Sequence, residues 1–264
     1  MPALSEGVRI NYVESGDGEE AVVLLPGLGM SLQTWAQHAD QLSSTYRVLS
    51  IDPRGSGESE TPDHSYTAAT VAADVGAVLD AAGVERAHLV GQSMGGMIAQ
   101  DFALAAPSRV RSLTLVSTYA RVDKWSRRAL SARRGLIEAG GLPLQFSVSV
   151  LFVFSPRSFR GLDEFIDGLE QRLATSPPDE RAYLRQLDYC LEHDATGGLG
   201  RLSAPTLVVA GAEDFLTSAM QNRELAEMIP GARYEEFRES SHGLIWEEPD
   251  RFRTLLSGFL EAVR

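Results

Sequence analysis

The sequence predicts an α/β fold: a mainly parallel, doubly wound sheet with a helical cap inserted near its middle. Three observations lead there. Short, apolar, β-branched runs alternate with longer amphipathic helical patterns. A G-x-S-x-G turn joins one such run to one such helix. Between Ser117 and Pro205 lie about eighty residues without a convincing strand pair, too long a stretch for an ordinary loop.

The expected strands are Val8–Val13, Ala21–Leu25, Arg47–Asp52, Ala87–Gly91, Ser112–Ser117, Pro205–Ala210 and Arg233–Phe237. Several are almost continuously hydrophobic, as in Thr206-Leu207-Val208-Val209-Ala210, which suits strands covered on both faces. Among the helices, Val71, Val75, Val78, Leu79 and Ala82 share one face, and Gly83 stands where a glycine ends a helix. Pro249 opens the last helix, whose apolar stripe is Phe252, Leu255, Leu256, Phe259, Leu260 and Val263. Helical patterns over Lys124–Ala139, Leu162–Ala174 and Asp179–His193 fill the long strandless stretch. The domain reading is a core of residues 1–120 and 203–264 and a cap of residues 121–202.

At 264 residues and 44% hydrophobic, the chain can build one sizeable core without dividing in two. A formal charge of −12 argues against nucleic acid or an anionic membrane as a partner, because both would repel it. Cys190 is the only cysteine, so no intrachain disulfide forms and a reducing compartment suits best. The start Met1-Pro2-Ala3-Leu4-Ser5-Glu6 lacks the basic and apolar regions of a signal peptide. No apolar run is expected to reach across a bilayer. A cytoplasmic location is the expectation; oligomeric state has no signature here.

The chemistry starts at Gly91-Gln92-Ser93-Met94-Gly95-Gly96-Met97. A serine on a sharp strand-to-helix turn is held above the sheet, and small neighbours at Gly91 and Gly95 let strand and helix approach. The same turn puts Ser93 at a helix N-terminus, where free N–H groups favour developing negative charge. Ser93 is thus the candidate nucleophile. An acid and a histidine should follow in that order. Asp214 comes just past the strand Pro205–Ala210, on the rim where open α/β sheets bind ligands, with Glu213 as the alternative acid. His242 is the only histidine beyond it. His38, His64, His88 and His193 fit structural or solvated positions. In this scheme neutral His242 accepts the serine proton, and Asp214 fixes its tautomer. The loop Leu25-Pro26-Gly27-Leu28-Gly29-Met30 follows an early strand; the N–H groups of Leu28 and Met94 are the candidate oxyanion donors.

With these motifs the sequence resembles the α/β-hydrolase superfamily over essentially its whole length. Asp52-Pro53-Arg54-Gly55-Ser56-Gly57-Glu58-Ser59 resembles the family's D-x-R-G-x-G-x-S loop, and Asp214 and His242 match its acid and histidine positions. One departure is Pro26-Gly27, where this branch usually has His-Gly; it removes a histidine contact but leaves the backbone donor. The elbow is similar to those of capped esterases and 3-oxoadipate enol-lactonases, and less specifically to C–C bond hydrolases. Ser93 stands where dehalogenases and epoxide hydrolases carry an acid, which disfavours both activities.

The resemblance implies a cofactor-free, metal-free serine hydrolase of a small carboxylic ester or lactone. A C–C bond hydrolase, a lyase or cyclase using the same triad, and a non-enzymatic binding protein remain alternatives. Expected substrate-binding residues are Trp125, Phe146, Phe215, Ile245 and Trp246. Arg121, Lys124, Arg127, Arg128, Arg133 and Arg134 form a basic cluster that reads either as a solvated helix face or as a cationic rim.

Overall fold

The computed structural model describes residues 2–264; Met1, at the head of the expected core segment, lies outside them. A seven-stranded sheet forms the frame. Its strands are β3 (Tyr12–Ser15), β4 (Ala21–Leu25), β5 (Arg47–Ile51), β6 (Ala87–Gln92), β7 (Val110–Val116), β8 (Thr206–Gly211) and β9 (Arg233–Phe237), in the order β3-β5-β4-β6-β7-β8-β9. All neighbours run parallel except β3, which pairs antiparallel with β5. A separate antiparallel pair, β1 (Ala3–Ser5) and β2 (Val8–Ile10), lies apart from it.

The expected single strand Val8–Val13 is in fact two. Asn11 separates β2 from β3: its N–H donates to Ser59 Oγ, its side-chain amide to Asp52 Oδ2, and its carbonyl accepts from Asp52 N–H. A residue spent on anchoring a loop cannot also continue a ladder.

Helices cover both faces. Along β4, Val22 and Leu24 pack to one side and Val23 and Leu25 to the other, the period-2 alternation of a strand covered twice. The first side meets α1 (Ala36–Leu42) and α10 (Pro249–Ala262) through Trp35, Phe252, Leu256 and Phe259. The second meets α2 (Ala68–Ala81) and α3 (Met94–Ala105) through Val75, Leu79, Ile98 and Phe102. Each such fully buried side chain contributes about 1.5–3 kcal/mol.

Between β7 and β8 the chain makes the helical insertion. It holds α4 (Lys124–Val153), α5 (Asp163–Thr175), α6 (Glu180–Glu192) and the short α7 (Thr196–Leu199). The outgoing and returning passages are pinned together by a bridge between Arg121 and Asp194 and by the Ala195 N–H donating to the Ala120 carbonyl. Among the helices after β8 are α8 (Ala219–Met228) and α9 (Leu244–Glu247).

Two expectations change at α4. The helical pattern expected over Lys124–Ala139 continues into a second helical piece that was not expected from the sequence. Furthermore, α4 contains an 18-residue stretch of mean hydropathy 1.6, which by length and composition could cross a bilayer; no such run was expected. The backbone argues against a span: Gly140 and Gly141 leave helical φ/ψ, dividing the run in two. The distal piece of about twelve residues rises only about 18 Å, short of a bilayer core of about 30 Å. One face of that piece instead lines a cavity between the cap and the sheet.

Candidate active site

Ser93 sits between β6 and α3 with φ 55° and ψ −120°, a conformation that costs a non-glycine residue about 1–3 kcal/mol. The surroundings hold it there. Its N–H donates to the Val116 carbonyl at 2.8 Å, and its own carbonyl accepts from Thr118 Oγ1 at 2.8 Å and Gly96 N–H at 2.9 Å. Thr118 is fixed in turn, its N–H donating to Asn222 Oδ1 at 3.0 Å. The flanking glycines are sterically required: a Cβ on Gly91 would collide with the Gly95 carbonyl, and one on Gly95 with the Leu25 carbonyl.

Asp214 and His242 come from the turns after β8 and β9. The His242 Nδ1–H donates to Asp214 Oδ2 at 2.8 Å, and both residues are buried. A carboxylate only accepts, so in the neutral imidazole the proton sits on Nδ1 and Nε2 is left as the acceptor. Asp214 is locked by further donors: Leu216 N–H at 2.7 Å, Thr217 N–H at 2.9 Å and Thr217 Oγ1 at 2.8 Å. Glu213, the alternative acid, is exposed. Behind the histidine, the Gln92 side chain donates to the His242 carbonyl at 3.0 Å. Neither Thr217 nor Gln92 was singled out in the sequence: Thr217 acts through Asp214, three residues before it, and Gln92 through His242, far away in the chain.

Leu28 and Met94 flank the serine. Met94 N–H is the first of α3 and has no carbonyl behind it within the helix. Gly27–Met30 closes a turn, with Met30 N–H donating to the Gly27 carbonyl and Gly29 at φ 72°. Such a turn leaves the N–H of its second residue, Leu28, unused. The Asp52 loop braces the chain just beyond this turn, Asp52 Oδ1 accepting from Leu32 N–H at 2.7 Å.

Ser93, His242 and Leu28 line one cavity, covered above by the cap residues Phe146, Val150, Phe154 and Tyr183. Of the five expected substrate-binding residues, Phe146 and Trp246 are on its wall. Ile245 is not. It is fully buried in the core with Leu244, because successive residues of α9 point about 100° apart and Trp246 takes the cavity side. Trp125 and Phe215 are also elsewhere: they border an outer groove and are joined by Trp125 Nε1–H donating to the Phe215 carbonyl at 2.6 Å. The first turn of α4 carries Trp125 outward. Arg133, Gln145, Ser149 and Tyr183 are the polar cap residues of the cavity, and the sequence did not single them out for this position. For the three on α4 no local signal could have done so, since the break at Gly140–Gly141 sets which face of each half looks down.

Among the described residues no group of three or more His, Cys, Asp or Glu side chains is arranged to hold a metal.

Comparison with known proteins agrees with this architecture. A family model of the alpha/beta hydrolase fold matches residues 20–249. A relative provisionally named carbamate hydrolase RutD, from Azorhizobium caulinodans, is 32% identical over 259 residues, 98% of each chain. The solved enol-lactonase of Burkholderia xenovorans LB400 superimposes with a TM-score of 0.91 at 27% identity, covering 99% of this chain and 100% of that one. An N-acyl homoserine lactone degrading enzyme superimposes with a TM-score of 0.86 at 29% identity, covering 98% and 100%. With its sheet order, its elbow and its cap, the chain belongs to the α/β-hydrolase family.

Proposed function

We propose that the protein hydrolyses a small carboxylic ester or lactone through an acyl-enzyme on Ser93, without a cofactor. The observation that carries this reading is the Asp214–His242 hydrogen bond of 2.8 Å beside a cavity that His242 shares with Ser93.

In the acylation step Ser93 Oγ attacks the carbonyl carbon and His242 Nε2 takes the hydroxyl proton. The carbonyl electrons move onto oxygen, where Leu28 N–H and Met94 N–H donate. As the C–O bond to the leaving group breaks, His242 returns that proton to the departing oxygen. A water molecule repeats the sequence in reverse: His242 takes its proton, the hydroxide adds to the acyl carbon, and Ser93 leaves as the protonated alcohol. Asp214 keeps Nε2 unprotonated at the start and stabilises the imidazolium between steps.

The 32% identical relative favours a second reading, in which the carbonyl belongs to a carbamate. The steps are the same, with nitrogen on one side of the acyl carbon. A fluorophosphonate should label Ser93 alone, and a panel of p-nitrophenyl esters, lactones and carbamates should be turned over by the wild type but not by Ser93→Ala. Labelling at another residue, or full activity in Ser93→Ala, would remove the assignment.

A further inference from the structure

Six cationic side chains crowd the start of the cap, and the structure gives them different surroundings. Arg121, Lys124 and Arg127 border a surface groove at the cap neck together with Asp123, Glu192 and Asp194. Arg134 pairs with Asp188. Arg128 borders the outer groove. Arg133 is the one that reaches the cavity of Ser93 and His242, and it also borders the side lobe and the outer groove next to that cavity.

We infer that Arg133 binds a carboxylate of the substrate, so that the compound hydrolysed is an acid carrying its ester, lactone or carbamate close to a free carboxylate group. This rests on the acyl-transfer reading of Ser93 and narrows its substrate class.

Four features support the assignment. Arg133 is half-buried, yet among the described residues no carboxylate pairs with it. The Tyr183 hydroxyl beside it is neutral, so the charge of a guanidinium partly withdrawn from water stays uncompensated, and its planar fork matches a carboxylate. Apolar side chains, Phe146, Val150, Val153 and Phe154, make up much of the cap wall, and Arg133 is its one charged group, so a single fixed cation would orient an anion strongly. Next, Gln145 is almost fully buried on the same wall and its Oε1 has no partner, while its amide bonds the Ser149 hydroxyl. That hydroxyl can donate or accept, so the amide can turn its NH₂ into the cavity as a second donor. Finally, burial pushes the Tyr183 hydroxyl and the Cys190 thiol up, the thiol to about 12, and the Arg133 charge opposes both shifts. Arg133 therefore lies close enough to both buried groups to act on them. Selection by contact inside a cavity also differs from steering by an exposed rim: added salt should alter it little.

The test compares two esters with one leaving group, the anionic half-ester p-nitrophenyl hydrogen glutarate and the neutral p-nitrophenyl pentanoate. In Arg133→Gln the ratio of kcat/KM for the anionic over the neutral ester should fall by about 10- to 100-fold, mostly through KM. Arg133→Lys should recover part of the ratio. An unchanged ratio in Arg133→Gln overturns the inference. A measurement on the wild type guards against a variant that fails to fold: pentanoate should inhibit competitively at a lower concentration than pentanamide, and equal inhibition overturns the inference equally. Fluorophosphonate labelling separates the two layers. Ser93 labelled with no discrimination between the esters removes only the role of Arg133; no labelling and no turnover of either ester removes the acyl-transfer reading beneath it.

Discussion

Gln186 of the cap accepts the backbone N–H of Gly29 on its Oε1 at 2.9 Å. Its Nε2 donates to the Arg54 carbonyl and to Ser56 Oγ, each at 2.9 Å. One buried side chain thus joins α6 to the turn that carries Leu28 and to the loop beneath it. Gln186→Ala would leave three buried polar groups unpaired. It should lower unfolding free energy by about 2–4 kcal/mol in urea titration. Because the turn positions a donor to the reacting oxygen, kcat should drop about 10-fold with KM less affected. A variant that melts early but keeps full kcat would confine Gln186 to stability.

The three residues of the proposed relay should act as a unit. Ser93→Ala and His242→Ala should each cost on the order of 10⁴–10⁶ in kcat. Asp214→Asn preserves shape but favours the wrong histidine tautomer and should cost up to about 10⁴. Steady-state kinetics on a p-nitrophenyl ester decides this. If Glu213→Gln were the crippling change, the acid would be misassigned.

Arg54 is buried and its guanidinium meets Asp74 through two contacts, 2.6 and 2.7 Å. Removing one partner of a buried pair leaves an uncompensated charge. Asp74→Ala should therefore destabilise by about 3–5 kcal/mol, measured by chemical denaturation. Neither residue lines the cavity of Ser93, so fluorophosphonate labelling of the folded fraction should persist.

Acid should unfold the protein partly through His88. Burial lowers its pKa from 6.5 to about 4, and Nδ1 is engaged with Ser112 Oγ at 2.8 Å. A depressed histidine pKa means that the unfolded chain binds the proton first. Its stabilising contribution is complete above about pH 6.5 and is lost as pH falls towards about 4, up to about 3 kcal/mol. His38, also lowered by burial, adds in the same direction. His88→Gln should flatten stability against pH over that window in denaturant titrations; an identical slope would place the acid sensitivity elsewhere.

The frame and the reacting residues could be read because their signals are local. A strand covered on both faces must be apolar throughout, as β4 and β8 are, and a strained serine turn must carry small neighbours, as Gly91 and Gly95 are. What lines the cavity is not local. Arg133 and Arg134 are adjacent and alike in the sequence, yet one faces the cavity and the other pairs with Asp188, because a helix turns about 100° between them. Ile245 and Trp246 divide in the same way. Nor does any spacing announce that Asn11 ends one strand to hold Asp52.

The break at Gly140–Gly141 separates two halves of one wall. Arg133 lies before it, while Gln145, Phe146, Ser149 and Val150 lie after it. Neither half carries Ser93, Asp214 or His242. A residue gained or lost at this point would rotate one half against the other and redraw the space offered to a ligand, leaving the reacting groups in register. Such a joint gives evolution a place to exchange diets without relearning the chemistry.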